Sequence, residues 1–400
     1  MKEGIGSKIC YCLARAVSFL VAKFIFKRKI IRNEIKNKKG AFVVIANHQA
    51  ALDFVNLIGI TKRRLRFVIS NSFYSSLPLK GFFNRLGVIP KQQFQTTVKD
   101  MKKMSRVIEN GEPLVIYPAG LMCEDGLSTP IPTATYKFLK WINADIYVAR
   151  TYGTYFSMPK WAKGIRTGET HLDVYKLFSK EEIAVMDIEE IKAKTNEAIL
   201  FDAYREQEKY LVKYKNNSNI EGIENVLYLC PHCKKEFAMR VKNKNTIYCE
   251  NCGYEEECDE FAFLHNKKGI GKEIRYVSDW SRLIYNDLKE KIKSGKELTL
   301  SSFSEIQMIK GKKFTSVGKA EITLTEKAFL IDGEIDGEKT KMEIPISNFA
   351  SLPFSPGKYL EIQKGDKIYR CVLENGKLVM KFINMVKIFY ELNSEKIIIK

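Results

Sequence analysis

The chain has 400 residues, 45% apolar and 12% aromatic, with a net charge of +19. That is too long for one core of ordinary size and too apolar for disorder, so two or three folded domains are expected. Nine cysteines in this length exclude a disulfide scaffold, and two C-x-x-C pairs among them point to metal use in a reducing, cytoplasmic setting.

Eleven basic and two acidic residues fall within the first forty, a net +9. In "IGSKICYCLARAVSFLVAKFIFKRK" the longest stretch between charges, from Arg15 to Lys23, is seven residues, well short of the roughly twenty a spanning helix needs. Lys8, Arg15 and Lys23 share a helical face, with Ile9, Leu13, Val17, Leu20 and Phe24 around the rest. Residues 1–34 are therefore expected to form an amphipathic helix at an anionic membrane surface, peripheral on its inner face. A helix packed on its own domain is the competing reading. The basic run after it, without a small-residue cleavage site, argues against export.

"GAFVVIAN" (40–47), "RRLRFVIS" (63–70), "LGVIPK" (86–91), "EPLVIYPAG" (112–120) and "ADIYVARTYG" (144–153) read as strands, with a helix near Ala50 and another over 97–111. This alternation predicts an α/β domain over 35–214 with a largely parallel sheet. Functional groups in such sheets collect at the strands' carboxyl ends, where Asn47-His48 and Tyr117-Pro118-Ala119-Gly120 fall. A polar linker, 215–222, precedes the cysteine pairs. An amphipathic helix over 279–293 and short alternating strands from 298 to 374 lead to a helical stretch at 377–393. The last part, 295–400, predicts a mostly-β domain closed by a C-terminal helix, resembling pleckstrin-homology or GRAM modules.

His48 and Asp53 are five residues apart. An imidazole has the proton affinity to take a proton from an attacking alcohol at neutral pH, and a carboxylate on its other nitrogen fixes the tautomer. The competing reading is an Asn/His helix cap with an unrelated aspartate.

"NHQAALD" (47–53) resembles the first motif of the glycerolipid acyltransferases, which acylate glycerol-3-phosphate and lysophosphatidic acid. The resemblance runs in order over about 35–180. "LPLKGFFNRLGVIPK" (77–91) looks like the second motif, with Pro78, Gly81 and Gly87 at the usual spacing. "VIYPAGLMCEDG" (115–126) stands where the family has F-P-E-G-T-R. The resemblance implies His48 as base and Asp53 as its orienter. It makes Asn47, Arg85, Lys91, Pro118 and Gly120 substrate-binding candidates, with Lys91 and Arg85 suited to phosphate. It also implies an acyl carrier protein, an acyl-coenzyme A or an acyl phosphate as donor. The third motif departs from the family: Ala119 replaces the glutamate and Leu121-Met122 the Thr-Arg. The fourth reads Tyr147-Val148-Ala149 without its proline. These losses put the acceptor in question, with a catalytically degenerate lipid-binding protein as the alternative. In "YGTYFSMPKWAKGIRTGE" (152–169), Lys160, Lys163 and Arg166 are further phosphate candidates, against an ordinary solvated loop.

"CPHCKKEFAMRVKNKNTIYCENC" places two C-x-x-C pairs fifteen residues apart. Cys230, Cys233, Cys249 and Cys252 are expected to hold a structural Zn2+ in a ribbon over 225–260. His232 and the other five cysteines are not expected as ligands. Zinc ribbons often bind nucleic acid and this one is basic, which leaves a nucleic-acid-binding protein as a third, less favoured reading.

Overall fold

Seven strands make the sheet of the first unit, which comprises residues up to 159 together with 164–217. They are β1 (Lys29–Asn33), β2 (Val43–Ala46), β3 (Arg66–Ser70), β4 (Ile89–Lys91), β5 (Leu114–Ile116), β6 (Ile146–Tyr152) and β7 (His171–Phe178). The computed structural model describes residues 5–76, 80–91, 97–311 and 313–398. The order is β1-β7-β6-β2-β5-β3-β4. β6, β2, β5, β3 and β4 run parallel. β7 lies antiparallel to β6, and β1 runs alongside β7 in the same direction.

The central strand explains the continuous apolar reading of "VVIA": all four residues are buried, because both faces of a parallel sheet are covered. Val43 and Ile45 join a core with Leu114, Ile116, Ile146 and Val148. Val44 and Ala46 enter a second core with Val115, Tyr147 and Ala149. Alternation along one strand thus feeds two cores, one on each side of the sheet.

The sequence reading placed residues up to 34 with the N-terminal helix. That helix runs Ile5–Phe24, and residues 29–33 are instead β1, whose Arg32 clamps Asp173 of β7 through Nε and Nη2 at 2.8 and 2.9 Å. Its β-branched pair, Ile30-Ile31, suits an edge strand, and its partner lies some 140 residues away. β7 itself was not anticipated. The predicted helix near Ala50 is a short one, Asp53–Leu57, beginning at the aspartate.

Helix Ile5–Phe24 is two-sided. Tyr11, Ser18 and Ala22 are buried against the unit, the Tyr11 hydroxyl donating to Arg63 O and accepting from Leu65 N at 3.2 Å each. Ile5, Ile9, Leu13, Val17, Leu20 and Phe24 are exposed on the opposite side. By length and composition alone this helix is also sufficient to cross a membrane.

The second unit comprises 160–163 and 218–400. Its first sheet holds β8 (Met239–Lys242), β9 (Thr246–Cys249), β10 (Glu255–Cys258) and β11 (Leu264–His265), antiparallel in the order β11-β10-β9-β8. After helix Val277–Lys293 come β12 (Thr299–Lys310), β13 (Lys313–Thr325), β14 (Ala328–Ile335), β15 (Glu338–Pro345), β16 (Phe354–Ser355), β17 (Tyr359–Lys364) and β18 (Lys367–Leu373). They form an antiparallel sheet in the order β15-β14-β13-β12-β18-β17-β16. At Gly318 (φ +152°) a Cβ would fall 1.9 Å from Glu334 O, and the β12–β13 register shifts opposite it, so the strand bends where only glycine fits. Helix Val379–Ile398 buries Phe382, Ile383, Val386 and Phe389.

Candidate active site

β2 delivers the first site loop. Asn47, the residue after the strand, turns its amide to β6: Nδ2 donates to Thr151 O at 2.7 Å and Oδ1 accepts from Thr151 N at 2.8 Å. Its exposure is 2%. Both ends of its amide are engaged by backbone, and its work is to tie two strand ends together.

His48 follows, 21% of its side chain exposed. Its Nδ1 lies 2.9 Å from Asp53 Oδ2. The same oxygen accepts from Gln49 N at 2.7 Å and Ala50 N at 2.9 Å, which holds the carboxylate, 1% exposed, at the helix start. Two backbone N–H donors mark that oxygen as an acceptor, so the tautomer that suits the contact has Nδ1 donating to it and Nε2, across the ring, keeping its lone pair. The competing reading, an Asn/His helix cap with an unrelated aspartate, does not describe this turn: the Asn47 amide goes to Thr151, and Asp53 both ties the turn and contacts the imidazole.

The loop after β5 packs on the other side. The Tyr117 ring stacks on His48, centroids 4.4 Å apart and planes 28° apart. Gly120 (φ +68°) closes a turn by donating its N–H to Tyr117 O at 2.9 Å, with Pro118 buried inside it. Cys123 N donates to His48 O at 3.3 Å, and its Sγ lies 3.6 Å from Gln49 O. Burial, then Asp125, Glu124 and Asp53, push the Cys123 thiol well up, so it stays a protonated, unreactive packing group. Glu124 and Asp125, on the same loop, are buried near this thiol.

Gln49 was not anticipated. Its Oε1 accepts from Thr154 Oγ1 and Tyr155 N, both at 3.1 Å, fixing the residue whose backbone N–H holds Asp53. Nor were Arg150 and Glu206. Arg150 donates to Glu206 Oε1 at 2.8 Å and to the carbonyls of Glu197, Ala198 and Leu200 at the end of helix Ile188–Ile199. Burial outweighs the Arg150 contact and pushes Glu206 up to about 7. Partners fifty residues away in sequence leave no local signal.

Lys91 ends β4, three strands from β2 and so roughly 14 Å across the sheet. Burial lowers its ammonium pKa, partly offset by Asp100. Arg85 is exposed in the last turn of helix Lys80–Leu86, against Gly6 of the N-terminal helix. Gly87 (φ +71°) leaves room only for the Arg66 guanidinium. Pro78 lies outside the described residues. Neither cation is brought into contact with His48. Arg166 is corrected as a phosphate candidate: 6% exposed, it donates to the carbonyl and side-chain oxygens of Asn217 at 3.3 Å. Lys160 and Lys163 belong to the second unit, where Lys160 stands 3.3 Å over the Phe354 ring.

In the second unit the thiols of Cys230, Cys233, Cys249 and Cys252 converge within 4.8 Å of one another. The Sγ pairs 230–252 and 233–249 lie 3.7 and 3.8 Å apart, close to the roughly 3.8 Å edge of a tetrahedron with Zn–S bonds of about 2.3 Å. Asn251 Nδ2 donates toward Cys233 Sγ at 3.5 Å, a supporting contact of the kind metal thiolates attract. The four residues can bind a metal, and their geometry fits zinc.

Residues 27–152 match the family model described as Acyltransferase. No curated protein matches the chain. Among solved structures it is similar to the 1-acyl-sn-glycerophosphate (LPA) acyltransferase PlsC of Thermotoga maritima, at 16% identity and a TM-score of 0.40, over 48% of this chain and 76% of that one. A second likeness is to a structure of the Vav1 exchange factor that describes its PH and C1 domains, at 12% identity and a TM-score of 0.17, over 29% and 36%. The segment matched by the family model carries the His48–Asp53 pair, the Tyr117 loop and Lys91.

Proposed function

We propose that the protein is a membrane-associated glycerolipid O-acyltransferase that moves a fatty acyl group from an acyl thioester or acyl phosphate to the hydroxyl of a lysophospholipid or related glycerolipid. The observation that carries this reading is the imidazole whose Nδ1 is held by a carboxylate fixed on two backbone amides, leaving Nε2 as base. His48 Nε2 takes the hydroxyl proton as the oxygen bonds to the acyl carbon. The tetrahedral oxyanion, stabilised by backbone N–H groups of the strand-end loops, collapses, and the departing thiolate or phosphate recovers the proton from the imidazolium. Asp53 stabilises that imidazolium throughout. Lys91 and Arg85 are the candidate phosphate contacts, and Pro118 and Gly120 shape the acceptor side. Ala119, where the family has glutamate, favours an acceptor headgroup other than simple glycerol phosphate.

The two-sided N-terminal helix supports a position on the inner face of the membrane rather than across it. Contacts from Tyr11 to Ala22 bind one face to the domain along most of its length, and a helix inserted in lipid could not keep them. Its apolar opposite face would enter the headgroup region, drawn by the net +9 of the first forty residues. We assign a structural Zn2+ to the four cysteines and a PH/GRAM-like role to 295–400. Bound there, the metal supplies folding energy to the ribbon rather than chemistry. A nucleic-acid role is disfavoured because ribbon cations Arg240 and Lys242 are paired with Glu250 and Glu255.

Ala119 also favours a second reading, a lipid-binding scaffold without turnover. A purified His48→Ala variant separates the two. Loss of acyl transfer from acyl thioester to lysophospholipid supports the enzyme, and an unchanged rate removes it.

A further inference from the structure

Helix Val98–Glu109 carries a charge pattern that the chemistry at His48 does not use. Thr97 caps it, the hydroxyl accepting from Asp100 N at 3.1 Å, and Met104 and Val107 enter the core that holds Val43 and Ile45. The side away from that core presents Lys99, Lys102 and Arg106, which fall within about 60° of one another around the helix axis. All three are exposed, and among the described residues none meets a carboxylate. Their neighbour Lys103 differs: it is paired with Asp100 at 3.1 Å. Glu109, the acid at the far end of this face, receives the Ser105 hydroxyl. Position gives the row its interest. β4 leads into the helix and β5 leaves it, both parallel to β2, so the helix runs back against the strands. Its first turn, with Lys99, therefore lies toward the strand-end edge of the sheet from which His48 projects. The membrane-directed helix Ile5–Phe24 is on the other side. Its Ala22 packs with Val55 and Phe54, and Phe54 joins the core of Val44 and Ala46 on the opposite face of the sheet. One flat bilayer surface cannot reach both faces.

We propose that Lys99, Lys102 and Arg106 are the docking row for an acidic protein that carries the acyl thioester. The proposal rests on the acyl-transfer reading and names the partner that serves it. The donor arrives from the water-facing side of the sheet, while the lipid acceptor comes from the side of the N-terminal helix. From Lys99 to Arg106 the row spans about 10 Å along the helix axis. Cations spread along a line match successive carboxylates on a partner helix, whereas the clustered phosphates of a free nucleotide thioester call for cations converging on a point. Because the row is exposed, its attraction acts mainly on encounter and orientation and is screened by salt.

The test titrates the full chain with an acyl carrier protein charged with a palmitoyl thioester, in a His48→Ala background so that the donor is not consumed. Binding is expected, weakening steeply as salt is raised. Lys99→Glu, Lys102→Glu and Arg106→Glu together should weaken it about tenfold or more at low salt, with the thermal midpoint within a few degrees. Lys99→Arg with Lys102→Arg should keep it. In the active protein the triple reversal should raise KM for the carrier-bound donor roughly tenfold. It should leave kcat, KM for palmitoyl-coenzyme A and sedimentation with anionic liposomes unchanged. No binding by the parent, or equal binding by parent and reversal, overturns the proposal. An equal rise in KM for both donors also overturns it, making the row a phosphate site, and lost sedimentation does so by making it a membrane contact. If the reversal cuts binding while His48→Ala still transfers acyl groups, the docking row stands and the assignment of His48 as base fails.

Discussion

Exchange of Asp53 for asparagine separates charge from geometry. An asparagine must place its carbonyl where Oδ2 now sits, since its NH2 group would face the Gln49 and Ala50 N–H donors at 2.7 and 2.9 Å. So oriented, it still accepts from both amides and from His48 Nδ1, and the turn and tautomer survive. What disappears is the negative charge beside a developing imidazolium. At a separation of about 4 Å and an effective dielectric near 20, that attraction is on the order of 4 kcal/mol. The exposed fifth of the His48 side chain admits solvent screening, which leaves about 2 kcal/mol, or roughly 30-fold in kcat. Asp53→Ala behaves differently. It strands two buried N–H groups and is expected to cost about 2–5 kcal/mol of stability besides the lost activity. The assay is acyl transfer to lysophospholipid vesicles at neutral pH, paired with urea unfolding of each variant. An asparagine variant at the parental rate, or an alanine variant with an unshifted unfolding midpoint, would refute the reasoning.

Three further expectations follow from the geometry. Glu206, raised to about 7 by burial against an ordinary 4.5, binds its proton more tightly folded than unfolded. Stability from this group is full below about pH 4.5 and lost as pH rises through 7, and Glu206→Gln should remove that decline, on the order of 3 kcal/mol at most, in urea titrations at pH 5 and 8. Mass spectrometry under native conditions should find one zinc per chain, absent from Cys249→Ser. Stripping the metal with a chelator should speed amide exchange in β8 and β9. Leu13→Glu with Val17→Glu, both on the exposed face of the N-terminal helix, should abolish sedimentation with anionic liposomes while leaving the thermal midpoint within a few degrees.

What could be read from the sequence was what local chemistry enforces. "VVIA" announced a strand covered on both sides, and the ring nitrogen and carboxylate of His48 and Asp53 meet because one turn of chain brings them together. The cysteine pairs converge for the same reason, each knuckle being its own short turn. What failed depends on distant partners. "KIIRN" looked like the basic tail of a helix because its hydrogen-bonding partner, β7, arrives some 140 residues later. The tie between Asn47 and Thr151 was not legible because the two are 104 residues apart. Arg166 looked solvated because nothing in its neighbourhood announces that Asn217 will receive it. Tyr117 lay in plain view at a strand end, but a stacked ring has no spacing signature.

The paired hydrogen bonds between Asn47 and Thr151 also constrain how the protein can breathe. Shifting the histidine loop outward requires breaking both bonds and disturbing the pairing of β2 with β6, so the Thr151 amide is expected to exchange slowly with solvent. Under the proposed function, a long acyl chain would be admitted by displacement of elements other than β2 and β6. Turnover would be timed by those peripheral movements, with the base already waiting in its working pose.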